Sequence, residues 1–398
     1  MHRDLLRQMW RSWRARRRGE WRMSARRLRV MAMFAFIAPL QLGLTRLFLL
    51  LDHLFFPSFR KTPVRQPVFV VGNFRSGTTA MLEGLSLASR DLLPMKTWEI
   101  YVAPSICQRK LISIGALIDS ALGGPIRRIV QSVDRGLLAD VRYHRVGLNL
   151  PEEDEGLFLY RWAGLFSWFF FPADTSPLAY ADFRQLGPYR RRSLMKYYRR
   201  MIQRHLYVHG AQFIQVAESG SGAHPIADTP RYLSKNPSAT GRIADLASEF
   251  PDARFVYMVR KPATLVPSMV NWLCYATSFF QPEDQPYRHR DVVLSLAEAW
   301  YAEGRNLPDA TLLVRAEDLA GDPVGGVLKA LRELQSPVQP NARALLTLEP
   351  AQPNDYSPES VGLNPDKLNA RLRWVGDYFG YGNSVISPAP IASPAEDA

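Results

Sequence analysis

Between Pro67 and Thr79 the chain reads Pro-Val-Phe-Val-Val-Gly-Asn-Phe-Arg-Ser-Gly-Thr-Thr, and few folds accommodate that order. Val68 to Val71 is a short apolar, β-branched run bounded by Pro67 and Gly72, which predicts a buried strand ending in a turn. A loop follows at once with Gly72, Arg75, Ser76, Gly77, Thr78 and Thr79. Ala80, Met81, Leu82, Leu85 and Leu87 then give the apolar spacing of a helix. Strand, glycine-bearing loop and helix N-terminus in that order make an anion site, because unpaired backbone N–H groups and the positive end of the helix dipole converge on one point. The anion expected there is a phosphate or a sulfate.

The spelling of the loop narrows the ligand. An ATP or GTP loop reads G-x-x-x-x-G-K-[ST]; here Gly72 and Gly77 keep the spacing while Thr78 stands where the lysine belongs. With Arg75 as the cation of the loop, an ordinary kinase or nucleotide hydrolase is disfavoured. The segment Arg-Ser-Gly-Thr-Thr after an apolar strand resembles the 5'-phosphosulfate loop of sulfotransferases that use 3'-phosphoadenosine 5'-phosphosulfate (PAPS). A second stretch extends the resemblance: Leu-Ser-Lys-Asn-Pro at 233 to 237, a helix to Phe250, a buried-strand run from Phe255 to Val259, and Arg260 at its C-terminal edge, where open α/β sheets collect ligands. Ser268 lies eight residues beyond Arg260. In sulfotransferases an arginine at a strand end and a serine eight residues later hold the donor's 3'-phosphate, and this stretch is similar. Pro-Glu-Glu-Asp-Glu at 151 to 155, Leu-Val-Arg-Ala-Glu-Asp-Leu at 313 to 319, Tyr356, Gly362, Leu363 and Tyr378-Phe-Gly-Tyr381 resemble landmarks of the bacterial-type branch.

The resemblance implies an α/β fold: a parallel β-sheet flanked by helices, a P-loop NTPase-like three-layer sandwich with a helical, apolar N-terminal extension. The alternation of strand and helix signals along the chain agrees with it. It also implies PAPS as co-substrate and no metal, since Arg and Lys can supply the charge that sulfuryl transfer needs. Arg75 would contact the sulfonate and the bridging oxygen, with Ser76, Gly77, Thr78 and Thr79 completing the cradle, and Arg260 and Ser268 would hold the 3'-phosphate. Lys235 matches the lysine that faces the reacting group. The cytosolic branch carries a histidine two residues after that lysine, where this chain has Pro237, so that base does not transfer. Glu99, 24 residues beyond Arg75, is similar in placement to the glutamate base of other branches. Glu152 and Glu155, at i, i+3 in an expected helical first turn, and His144 are the competing bases.

Charge divides the chain unequally. The formal net charge is +13, and residues 1 to 30 hold 11 Arg against Asp4 and Glu20, so 11 − 2 gives +9 there and +4 remains for the other 368 residues. Trp10, Trp13 and Trp21 interleave with those arginines, and Val30 to Phe59 is strongly apolar. Its longest uncharged run, Val30 to Thr45, is 16 residues. A spanning helix needs about 20. The arm therefore reads as a segment on an anionic membrane surface or a re-entrant hairpin, against the plainer expectation of helices packed on the body of the molecule. No recognition motif points to nucleic acid. Cys107 and Cys274, without C-x-x-C spacing, imply neither a disulfide framework nor a zinc site and fit a reducing, cytoplasmic location, peripheral to a membrane.

Three segments follow: a basic, aromatic and apolar arm over 1–66, a sulfotransferase domain over 67–382, and a disordered tail over 383–398. Within the domain, a short strand is expected in 91–101, helices in 102–139 with a break at Gly123-Gly124-Pro125, and a helix opening at Asn149 and Pro151 with Glu152, Glu153, Asp154 and Glu155 in its first turn. The aromatic run from Leu157 to Pro172 reads as core or acceptor pocket, and Tyr189 to Tyr207 as a basic helix. Phe213 to Val216 is expected as strand, 220–230 as loop, 291–303 as helix, 311–314 as strand and 324–334 as helix. The acceptor is a carbohydrate, a lipid or another small molecule carrying a hydroxyl. The alternatives are a P-loop kinase or nucleotide hydrolase, and a membrane-bound scaffold that binds a nucleotide without catalysis.

Overall fold

The apolar run before the loop becomes the middle strand of the molecule. In the computed structural model, which describes residues 2–17, 24–134, 147–218, 230–280, 287–346 and 356–381, β1 (Val68–Gly72) lies between β3 (Arg231–Lys235) and β4 (Arg254–Val259). With β2 (Leu92–Pro94) and β5 (Thr311–Arg315) the described strands form one five-stranded sheet in the order β2-β3-β1-β4-β5, and every pairing is parallel. A strand covered on both faces must be apolar on both, and every residue of β1 is buried. Alternation sends Val68 and Val70 to one core, with Val256 and Met258. Phe69 and Val71 go to the other, with Phe255 and Tyr257.

Helices cover both faces. α1 (His2–Arg17) and α2 (Ala25–Phe55) precede β1, and α3 (Thr78–Ala88) follows its loop. α4 (Thr97–Tyr101), α5 (Ile106–Ala121), α6 (Pro125–Val133), α7 (Phe166–Phe170) and α8 (Pro188–Glu218) lead to β3. α9 (Ile243–Glu249) joins β3 to β4, and α10 (Pro262–Phe280) and α11 (Arg290–Glu303) join β4 to β5. α12 (Ala316–Gly321), α13 (Pro323–Glu333), α14 (Ala342–Leu345) and α15 (Pro365–Tyr378) close the described chain. α3 packs on α13 through Met81, Leu82, Val327 and Leu331. The approach is close: a Cβ on Gly84 would lie 2.4 Å from Val327. The opposite face is filled from α8, α10, α11 and α15, so the three layers expected from the sequence are present.

Three local expectations change. Phe213 to Val216 continues α8 as helix, not strand. Glu152 and Glu153 precede the helical turn, a 3₁₀ segment that begins at Asp154, because Pro151 is held in an antiparallel bridge with Lys96. Glu152 and Glu155 therefore do not share a helix face. α2 runs unbroken through Pro39, so Ala25–Phe55 makes no re-entrant hairpin. Residues 220–229, the expected tail and His144 lie outside the described residues.

The N-terminal helices are tied to the rest of the molecule. Arg27 is buried and donates to Ser12 Oγ at 2.6 Å and to the Phe170 carbonyl. Burial pulls its guanidinium down to about 10. Asp52 accepts from Arg204 Nε at 2.7 Å and from the first amides of α5, Ile106 and Cys107. Leu5, Phe34 and Leu42 form a small core with Tyr160, Trp162 and Phe171. Phe158, Trp168 and Phe171 from the aromatic run are core residues.

Candidate active site

The loop after β1 owes its shape to two residues in left-handed backbone and one glycine with no room beside it. Arg75 has φ 69° and Gly77 φ 88°. Gly72 has φ 134°, and a Cβ there would meet the Met258 carbonyl oxygen at 2.2 Å. Ser76 Oγ donates to the Asn73 carbonyl at 2.7 Å, closing the turn. Thr240, beyond β3, bonds both the amide and the carbonyl of Gly72, at 2.8 and 2.9 Å. α3 then begins with Gly77 as its N-cap, no capping side chain and no acidic residue in its first turn. Uncapped leading amides beside a glycine-bearing loop are the arrangement that binds an oxyanion.

The second motif meets this loop. Arg75 Nε donates to Ser268 Oγ at 3.1 Å across 193 residues, and Arg260 Nη1 donates to the Arg75 carbonyl at 3.0 Å. Arg260 stands just past β4, where the Tyr301 hydroxyl donates to its carbonyl at 2.7 Å. Burial lowers the Arg260 guanidinium while Glu317 opposes that shift. Glu317 also accepts from the Lys261 amide and the Tyr381 hydroxyl, each at 3.0 Å. The 313–319 segment and the tail tyrosine thus fix the turn that carries Arg260. Nothing local in the sequence ties Glu317 to Lys261, so these landmarks carry no visible role until the chain is folded.

The acidic run forms a third cluster. Glu153 pairs with Lys235 at the end of β3. Asp154 accepts from the Tyr198 hydroxyl, from the Tyr232 hydroxyl at 2.6 Å and from Asn236 Nδ2 at 3.0 Å. Glu155 pairs with Arg242 and accepts from Asn236 Nδ2 at 3.0 Å and the Leu165 amide at 2.8 Å. Burial pushes the Glu155 carboxyl up against the pull of Arg242, Asn236 and Leu165. A helix dipole does not account for this run: each of these three carboxylates has a buried partner of its own.

Residues 168–340 match the sequence model of the sulfotransferase family. The matched stretch, 173 of the 398 residues, takes in Lys235, Arg260 and Ser268. The fold agrees. The crystal structure of sulfotransferase STF9 from Mycobacterium avium superposes with a TM-score of 0.65 at 18% identity, over 88% of this chain and 85% of that one. The structure of sulfotransferase STF1 from Mycobacterium tuberculosis H37Rv does so with a TM-score of 0.63 at 18% identity, over 93% and 91%. No curated protein matches the chain.

The expected site residues fall in two groups. Arg75, Ser76, Gly77, Thr78, Thr79, Arg260 and Ser268 share the loop and its β4 neighbour. Lys235 lies one strand away with Glu153, and β1 and β3 pair Val70 with Lys235. Glu99 sits elsewhere in its contacts. Its Oε2 accepts from the Lys96 amide at 2.8 Å, and its Oε1 lies 2.7 Å from His209 Nε2 and 3.2 Å from Arg109 Nη1. Burial raises this carboxyl, yet the His209 hydrogen bond and the nearby His205 and Arg109 outweigh it and hold it well below the usual range. Burial keeps His205 neutral, so Arg109 and His209 carry most of that effect. Ligand-type atoms of Glu99, His205 and His209 lie within 4.8 Å of one another. Beside them lies the buried Arg109, with Nη1 3.2 Å from Glu99 Oε1 and 3.2 Å from His205 Nδ1.

Proposed function

We propose that the chain transfers the sulfuryl group of PAPS to a hydroxyl of a carbohydrate, lipid or other small acceptor, as a cytoplasmic enzyme working beside a membrane. One observation carries the reading. Two phosphate-type motifs far apart in sequence touch through Arg75, Ser268 and Arg260, so one loop holds cations for both ends of a bisphosphorylated donor. Arg260 and Ser268 take the 3'-phosphate, and Arg75 with the amides of Ser76 to Thr79 takes the phosphosulfate.

Transfer is in line. The acceptor oxygen forms its bond to sulfur as the bond from sulfur to the donor's phosphate oxygen breaks, and charge gathers on that leaving oxygen. Arg75, Lys235 and the N-terminus of α3 stabilise it. The acceptor's proton passes to a carboxylate. Glu99 is one candidate, but both its oxygens are engaged and its low affinity for a proton leaves little driving force. Glu153 has the better geometry: it pairs with Lys235 while its buried Oε2 has no hydrogen-bond partner. We assign Glu153 as the base, with Glu99 positioning α4 against α8.

Calorimetric titration with 3',5'-adenosine bisphosphate, with ATP and AMP as controls and no added Mg, tests the reading. Binding of the bisphosphate alone is expected. Preference for ATP, or no binding by folded protein, would sink it.

A further inference from the structure

Three helices carry a surface that the proposed reaction does not use. Arg27, Phe34, Leu42, Thr45 and Asp52 turn one side of α2 to the body of the molecule along its length. Between Arg27 and Asp52 the helix runs roughly 37 Å, and midway Gln41 Nε2 donates to the Tyr101 carbonyl at 3.1 Å. α2 is long and apolar enough to cross a membrane, but a helix fastened lengthwise to a folded domain lies along it. Its other side is apolar and open, with Phe36 78% and Leu40 74% exposed. α5 runs beside α2, and from Leu111 to Ile118 every residue is exposed, Leu117 at 73%. α6 adds Ile126, Ile129 and Val130. A helix apolar all round belongs in a protein core or in lipid, and among the described residues no core surrounds the outer half of α5.

Charge selects the partner. α2, α5 and α6 contain two carboxylates, Asp52 and Asp119, and both are buried in hydrogen bonds to helix amides, Asp119 with those of Ile126 and Arg127. Arg26, Arg29, Lys110, Arg127 and Arg128 are exposed on the same helices. Neighbouring α1 presents Trp10 and Trp13 with Arg14 and Arg17 over their rings, at 4.8 and 4.5 Å. Apolar side chains bordered by arginine and tryptophan suit the boundary between acyl chains and anionic head groups. A second copy fits poorly, because a two-fold contact sets this basic rim against itself, and the described residues of α2, α5 and α6 offer no exposed carboxylate to answer it.

We infer that the α2–α5–α6 surface lies in the plane of an anionic bilayer leaflet, with the α5–α6 turn, including Leu117, Ile118 and Leu122, inserted among the acyl chains. It depends on no residue of the donor loop. The test is co-sedimentation of the full chain with phosphatidylcholine vesicles, with and without phosphatidylglycerol. Wild type is expected to pellet with the mixed vesicles. Ile114→Glu/Leu117→Glu/Ile118→Glu should lose at least about tenfold in partitioning, and Arg127→Glu/Arg128→Glu should lose the preference for phosphatidylglycerol, both with an unchanged unfolding temperature. No pelleting by wild type, or pelleting unaltered in the folded triple variant, overturns the inference. A soluble dimer that the triple variant dissociates, without vesicle affinity, overturns it in favour of a second copy. Bisphosphate titration of the same samples shows separately whether the donor site stands.

Discussion

The donor loop and the acidic run lie on adjacent strands, and both concentrate charge, yet they are built oppositely. Arg75 donates to the Ser268 hydroxyl and Arg260 to the Arg75 carbonyl, so these arginines tie two distant segments together at the loop. Glu153 and Glu155 face Lys235 and Arg242, which cancel their charge inside the protein. Charge answered inside the core serves architecture, whereas the loop arginines stand beside the helix N-terminus where an anion is expected. Glu153 stands between the two, since its cation is itself a candidate for the reaction.

The sharpest way to break the contrast is to remove half of a neutralised pair. Arg242→Ala strands Glu155, which is wholly buried, and is expected to cost about 3–5 kcal/mol of stability, read by denaturant unfolding. Arg242→Met with Glu155→Leu should recover most of it. A small loss in the single variant would mean that the pair is not the brace described. Turnover comes next: Glu153→Gln should lower kcat by roughly 10²–10⁴ with bisphosphate affinity retained, whereas Glu99→Gln should act mainly on unfolding temperature. The reverse pattern returns the base to Glu99.

On the donor side, Arg75→Ala and Arg260→Ala should each weaken bisphosphate binding by about 1.5–3 kcal/mol while stability holds; unchanged affinity would make both arginines structural. A smaller effect follows from pH. His289 is buried against Trp168, and desolvation lowers its imidazole to about 4. Between the ordinary value of 6.5 and about 4 the unfolded chain binds the proton and the folded chain does not. Stability is therefore full above that window and falls as pH drops through it, by at most roughly 3 kcal/mol. His205 acts in the same direction. Unfolding curves for His289→Phe should show a shallower decline.

What was legible early was what local chemistry encodes. The strand, loop and helix of 68–88 followed from β-branched residues, glycine positions and apolar spacing, and β4 and Arg260 from the same kind of run. The concentration of positive charge in the first 30 residues was a matter of counting. Pairings between distant residues left no such trace. Nothing near Pro151 says that Glu153 meets Lys235 across 82 residues, so the acidic run read as a helix start. Glu99 read as a base by its placement alone, because Arg109, His205 and His209, which engage it, come from α5 and α8. The apolar stretch after the arm showed hydropathy but not orientation. Only the contacts of Arg27 and Asp52 laid α2 along the domain with one side open, because burial is a property of neighbours and neighbours are set by tertiary packing.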